Sequence, residues 1–223
     1  MPQYVIERSL PGAGDLTDEQ VIRTGIVVVP LTIRFGDEEF VDRRDLTPQT
    51  FWAKVAASST LPETAAPSPG AFEAAFRQAA SDGCAGVVCI CLSSALSATY
   101  ASASLAAKTV ADIIDVRVID SLSITSGLGT MAIAAADVAR AGASLHDVEE
   151  AARSNIGHTR VLAALDTLDN LKKGGRIGGA QAFLGTLLSI KPLIDVSSGS
   201  VVEAGKQRTR ARALAAQIGR AHV

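Results

Sequence analysis

Gly86-Val87-Val88-Cys89-Ile90-Cys91-Leu92-Ser93-Ser94-Ala95-Leu96-Ser97-Ala98-Thr99-Tyr100 is the stretch on which the architecture turns. Gly86–Leu92 is a short run that is apolar at both parities. A strand wetted on one face alternates apolar with polar residues, so a run without alternation is covered on both faces. It gives way to four hydroxyl side chains in seven residues, Ser93 to Thr99, and then to helical periodicity over about Ser97–Ala111. A buried strand handed to a helix through a small polar loop is the repeating step of a parallel α/β sheet.

The same step recurs on both sides of this stretch. Tyr4–Glu7, Ile26–Phe35 and Val116–Asp120 read as further strands. Thr17 with Gln20 forms a capping-box pattern for a helix that Gly25 stops. Thr47 and Ser68 each precede a proline, an N-cap before a first-turn proline. Behind Ser68, Phe72, Ala75, Phe76 and Ala79 fall on one helical face, and Gly83 ends that helix. Ser126–Ala141 and a segment opened by Ser144 and Asp147 and ending near Ser154 complete the set. We read residues 1–157 as a Rossmann-like parallel sheet domain with helices on both faces. From His158 the texture changes. Arg160–Leu165, Ile190–Val196 and Ser200–Gly205 read as strands, Leu168–Lys173 and Ala180–Leu188 as helices. Residues 158–223 read as an incomplete second α/β domain, with too few elements to close a core alone.

Bulk properties exclude several classes. The 223 residues are 48% hydrophobic with a net charge of −2, and only 4% are aromatic. Neither a basic footprint nor stacking platforms for bases are present, so no nucleic-acid partner is expected. Cys84, Cys89 and Cys91 cluster without a nearby histidine, which fits small buried side chains in a reducing compartment better than zinc or a disulfide. No leader pattern opens the chain and no apolar run reaches transmembrane length. The expectation is a cytoplasmic protein without an integral membrane segment. The basic stretch Lys206–Arg212 reads as an edge strand or exposed helix face.

Three segments carry candidate chemistry. In Ser93–Thr99, hydroxyls sit beside free helix N–H groups at the strand-to-helix edge, where open α/β sheets bind ligands. That is a neutral cradle for an anion, although Ser97 alone, as an ordinary N-cap, would account for one of the four. In Leu61–Pro69, three prolines stiffen a loop that could present Thr64; taken alone, a rigid connector is the better account. In Lys172–Ile177, Gly174-Gly175 reads as a helix C-cap, with Arg176 placed to meet an anion. Enzyme signatures are missing: there is no G-x-x-x-x-G-K-[ST], no G-x-G-x-x-G after a strand and no G-x-S-x-G. A hydrolase or transferase using Ser97 as nucleophile would lack a base, since His146 and His158 have no evident carboxylate partner. A binding module for a non-lipid ligand is the other alternative.

Taken together, these segments resemble the DegV family, whose bacterial members bind fatty acids. Gly25–Phe40 is similar to that family's G-I-x-V-V-P-L-x-V-x-F-G-D-E-x-Y, and Leu92–Tyr100 to its S-S-x-L-S-G-T-Y. Asp120-Ser121 matches V-I-D-S, Leu171–Ile177 matches L-x-K-G-G-R-I, and Leu184–Pro192 is close to L-L-x-x-K-P. Thr64 falls at the threonine of T-S-Q-P-S. The resemblance implies a two-domain DegV fold and a ligand-binding carrier with no catalytic residue, metal or cofactor of its own. Thr64 and Ser97 would hold the carboxylate of a long-chain fatty acid, with Ser94, Ala98 and Arg176 around it. A separate fatty acid kinase, related to dihydroxyacetone kinases, would phosphorylate the bound acid for phospholipid synthesis. Two departures bear on this. Ala65-Ala66 replaces Ser-Gln, removing polar donors beside Thr64. Ala98 replaces a glycine, so a methyl is expected to narrow the approach to the carboxylate, and would clash at positive φ.

Both ends differ from the family. The opening Met1–Gly14 lacks the family's V-T-D-S-T-A-D-L-P, and a junction near Gly14 is expected. Ile218–Val223 reads as translated sequencing adapter, and the family's closing T-H-x-G-P-G is absent, so a truncated second domain is expected.

Overall fold

The computed structural model describes residues 3–6, 25–183 and 190–221. The Thr17 capping box, the expected junction near Gly14, Leu184–Leu188 and His222-Val223 lie outside them. In chain order the first half contains β1 (Gln3–Ile6), β2 (Ile26–Val28), β3 (Thr32–Phe35), β4 (Glu38–Val41), α1 (Pro48–Ala57), β5 (Glu63–Ala65) and α2 (Pro69–Ser81). Then come β6 (Gly86–Cys91), α3 (Thr99–Thr109), β7 (Asp115–Asp120), α4 (Thr125–Arg140) and α5 (Leu145–Ser154). The remainder is a 3₁₀ turn at Ile156–His158, β8 (Leu162–Ala164), α6 (Asp169–Lys173), a second 3₁₀ turn at Gly178–Phe183, β9 (Lys191–Asp195), β10 (Val202–Gln207) and α7 (Arg210–Ala221).

Four strands form a parallel sheet in the order β2-β1-β6-β7. Every residue of β6 is buried, which explains its missing alternation. Val88 and Ile90 face α4 and α5, meeting Leu128, Ala132, Ala136 and Val148. Val87, Cys89 and Cys91 face α2 and α3, meeting Phe72, Phe76, Ala103 and Ala106. The two faces follow the period of 2 of a strand, each covered by helices. Cys89 and Cys91 are thus buried neighbours on one face, their sulfurs 3.8 Å apart. The helix starts follow the caps. Ser68 Oγ accepts from the Ala71 amide, and Ser144 with Asp147 closes a complete capping box.

The expected single strand Ile26–Phe35 is two. Val27 pairs with Val5 in the parallel sheet, whereas Ile33 pairs with Phe40 and Thr64 in a separate antiparallel sheet of order β4-β3-β5. Val29-Pro30-Leu31 separates them. Pro30 has no N–H for a ladder and fixes its own φ, so pairing ends there and the chain leaves the sheet. A two-residue Gly36-Asp37 turn, with Gly36 at φ 58°, joins β3 to β4. Glycine at the first central position suits such a hairpin. Residues 63–65, read from sequence as a rigid connector, form the third strand. Helix α1 covers this small sheet without burying any residue fully; Phe51 stands edge-on to Phe35, and Lys54 pairs with Glu38 at 2.8 Å.

Residues after His158 build an antiparallel sheet, β10-β9-β8. Its alternate residues again divide. Leu193 faces Ala204 and Ala213, on the side of α7. Ile194 joins Leu168, Ile177, Val196 and Val201, together with Leu96 and Ile124 from loops of the parallel sheet. The shortage of covering elements is met in this way: these loops close one face and α7 the other. Ser93 Oγ crosses the same boundary, donating to the Gly199 carbonyl at 2.6 Å.

Candidate functional site

A cleft of about 980 Å³ opens where β6 hands over to α3. It is bounded by four parts of the fold. The loop before α3 contributes Leu92, Leu96, Ser97 and Ala98. The small sheet and its helix contribute Leu31, Phe51, Trp52, Val55 and Leu61 to Ala66. The segment around α6 contributes Asn170, Leu171, Lys173, Gly174 and Arg176, and Ile124 and Thr125 close the side at the start of α4. The position is the carboxyl edge of a parallel sheet, the site class the sequence pointed to. The size lies at the upper end of the roughly 300–1,000 Å³ usual for small-molecule sites.

Of the five residues singled out from sequence, Thr64, Ser97, Ala98 and Arg176 line this cleft. Thr64 is exposed on β5, opposite Ile33. Ser97 is half-buried. Its Oγ accepts the Thr99 amide at 3.3 Å and shares a 2.8 Å hydrogen bond with Thr99 Oγ1. Arg176 is held by two main-chain carbonyls, Nη1 to Gly174 at 2.6 Å and Nε to Leu96 at 3.3 Å. The second of these ties the guanidinium to the loop that carries Ser97. Ser94 stands apart. Its side chain is exposed outside the cleft, because its amide is drawn to Asp120 Oδ1 at 3.2 Å at the end of β7. Ala98 sits at φ −73° and ψ 1°, a conformation open to any residue, so the expected clash of its methyl does not arise. The methyl sits on the cleft wall without backbone strain.

Local charge favours an anion. Ala98 and Ile124, the N-caps of α3 and α4, offer no side-chain hydrogen bond to the first turns behind them. Both lie on the cleft wall, so two helix N-termini start there beside Arg176 and Lys173, with Ser97 Oγ taking the first amide of α3, that of Thr99. Glu63 is the one carboxylate among the described lining residues. It contributes to the field at Arg34, whose guanidinium is held above its ordinary value first by its hydrogen bond to Glu39 and then by the charges of Glu39 and Glu63. No histidine is among the lining residues, and the described residues contain no group of His, Cys, Asp and Glu fit to hold a metal ion. No described helix is long and apolar enough to cross a membrane.

Thr99, one of the four hydroxyls of the expected cradle, does not line the cleft: it is fully buried and bonded to Ser97. Several lining residues went unread in the sequence. Trp52, the chain's single tryptophan, is 62% exposed on a helix with no buried residue. An exposed indole on a loosely seated helix is a signal that composition alone does not carry.

Fold and cleft define an α/β protein with a ligand-sized site at the carboxyl edge of a parallel sheet. The chain belongs to the DegV family: the model of that family, described as "Uncharacterised protein, DegV family", matches residues 12–221. It is 35% identical to a DegV domain-containing protein of Streptomyces coelicolor over 193 residues, 86% of this chain and 68% of that protein. A solved DegV family protein from Thermus thermophilus, described for its fatty acid binding, is 32% identical with a TM-score of 0.85; the match covers 98% of this chain and 76% of that one. A stearic-acid-binding protein from Eubacterium ventriosum also has a TM-score of 0.85, at 26% identity over 99% of this chain and 75% of its own. The α/β fold class and the family resemblance read from the motifs both hold.

Proposed function

We propose that this chain binds a long-chain fatty acid, with the carboxylate held by Thr64 and Ser97 and the acyl chain against the apolar cleft wall. The observation that carries the reading is the composition of that cleft. It combines hydroxyls on two separate elements with Leu31, Phe51, Val55, Leu61, Leu92, Leu96 and Leu171. Burying an acyl chain against such a wall contributes about 0.8 kcal/mol per methylene, and two helix N-termini with Arg176 supply the complement to the carboxylate charge. The fatty acid binding of the Thermus thermophilus and Eubacterium ventriosum relatives supports the same ligand class.

The protein acts as a carrier in the cytoplasm, and a dihydroxyacetone-kinase-like fatty acid kinase phosphorylates the acid it presents. Supporting this, Ser97 Oγ is bonded to Thr99 and no histidine lines the cleft to activate it, while hydroxyl donors leave a carboxylate oxygen nucleophilic toward phosphorus. A tight salt bridge would quench it. Residues 158–223 serve as the second domain, closing the cleft from the side of α6.

Native mass spectrometry of protein expressed in bacteria tests the ligand. A co-purified mass of a long-chain fatty acid is expected, together with uptake of labelled oleate that Thr64→Val with Ser97→Ala abolishes. An empty protein that takes up no oleate overturns the proposal. Acyl-phosphate formation with a purified fatty acid kinase tests the presentation step separately.

A further inference from the structure

We infer that Thr99 is a positioning residue that fixes the direction of the Ser97 hydroxyl, making Ser97 an obligate donor toward the cleft. The inference rests on the carboxylate reading above and names the device behind it. Thr99 is completely buried, and among the described residues its Oγ1 has one hydrogen-bond partner, Ser97 Oγ at 2.8 Å. A buried hydroxyl that does not donate forfeits its hydrogen bond without water to replace it. Thr99 therefore donates to Ser97. Ser97 Oγ also accepts the Thr99 amide at 3.3 Å, so both of its lone-pair positions are taken by one residue. Its own proton has no place in that pair and points to the open side, the cleft that Ser97 lines.

A free serine hydroxyl serves equally as donor or acceptor. Saturating its acceptor sites removes the second role. A carboxylate, which only accepts, is favoured; a hydroxyl ligand loses the choice of donating to Ser97. The arrangement thus sets selectivity for an acid over an alcohol of the same length, without any formal positive charge at Ser97. Chained hydrogen bonds also polarise one another in a poorly hydrated site, which strengthens the outward bond.

The experiment compares stearic acid with stearyl alcohol by competition against a fluorescent fatty acid, for the full chain and for Thr99→Val, Thr99→Ala and Thr99→Ser. Wild type is expected to prefer the acid. Thr99→Val should lower acid affinity about tenfold while changing alcohol affinity less than twofold. Thr99→Ser, which keeps the hydroxyl, should restore the preference. Thr99→Ala removes the hydroxyl without adding a methyl and gives the same reading if the valine variant is unfolded by circular dichroism. In a Ser97→Ala background, Thr99→Val should have no further effect on the acid, which a purely structural role would not produce. A retained acid preference in the folded valine or alanine variant overturns the inference, as does an undiminished loss in the Ser97→Ala background. A wild type that binds acid and alcohol alike instead overturns the carboxylate reading itself.

Discussion

Ser93 Oγ donates to the carbonyl of Gly199, 106 residues away, at 2.6 Å, and Gly199 sits at φ 85° with no room for a side chain. An added Cβ would meet Ser93 Oγ at 2.9 Å and Leu122 Cδ2 at 3.1 Å. The bond is buried and joins the hydroxyl loop after β6 to the turn between β9 and β10. Ser93→Ala should therefore destabilise the protein by about 1–3 kcal/mol, the cost of leaving a buried carbonyl unpaired. Gly199→Ala should cost more, because the left-handed backbone adds strain to the clash. Urea unfolding midpoints of the two variants check both size and order.

Gly127, in the first turn of α4, permits a second close approach. A Cβ there would stand 2.3 Å from Ser123 Oγ and 2.7 Å from Val161 Cγ2. Gly127 has helical backbone, so the penalty is overpacking alone. Gly127→Ala should cost about 1–3 kcal/mol, read from the shift in thermal midpoint.

Trp52 gives the cleft an optical reporter. It is the chain's one tryptophan, 62% exposed, and part of the cleft lining. Adding oleate should shift its emission to the blue as the indole loses water, with saturation at one ligand per chain. Emission unchanged at saturating oleate would place the acyl chain away from α1.

Arg176 is held as a fork between the carbonyls of Gly174 and Leu96. Lysine keeps the charge but not the fork. Arg176→Lys should weaken fatty acid binding about threefold to fivefold, and Arg176→Gln further, with the glutamine loss shrinking at high salt. Equal effects of both substitutions would assign the contribution to charge alone.

Asp166 links the loop after β8 to β9 and α7. Its hydrogen bond to Lys191 at 2.9 Å, then the charges of Lys191 and Arg210, hold its carboxyl below the ordinary value of 3.8. A carboxyl depressed on folding contributes stability that is complete above its unfolded value. That contribution is lost as pH falls through the lower folded value. Asp166→Asn should flatten this acid limb in denaturant midpoints measured below pH 3.8 while leaving its shape near neutrality unchanged.

Much of the architecture was legible because burial writes itself into period. β6 lacks alternation since Val88 and Ile90 meet one helical layer and Val87, Cys89 and Cys91 the other. Caps fixed the starts of α1, α2 and α5 in the same direct way. The small sheet was not legible. Ile26–Phe35 is apolar on both sides of Pro30, and hydrophobicity alone does not say that one proline ends pairing in one sheet and opens it in another. Gly36-Asp37 was the neglected hairpin signal. In the site, the motifs pointed to four residues that share the cleft. Ser94 left it because Asp120 claims its amide, a contact between residues 26 apart that no local pattern announces. The 3₁₀ turn at Gly178–Phe183 replaced the beginning of the expected helix Ala180–Leu188. Gly178, at φ 49° with the Val201 carbonyl 2.5 Å from its missing Cβ, sets that local path.

The chain enters the small sheet through Val29-Pro30-Leu31 and leaves it through Ala66-Pro67-Ser68, so Thr64 is suspended between two proline-containing connectors while Ser97 is anchored to the main sheet. The span between the two hydroxyls is thus a property of the spine rather than of the cleft wall. Substitutions at Val29, Pro30, Pro67 and Ser68, the four connector residues off the cleft wall, should retune the span between Thr64 and Ser97 while every lining side chain stays as it is. Selectivity in such a design is inherited through hinges, out of sight of any comparison limited to the residues that touch the ligand.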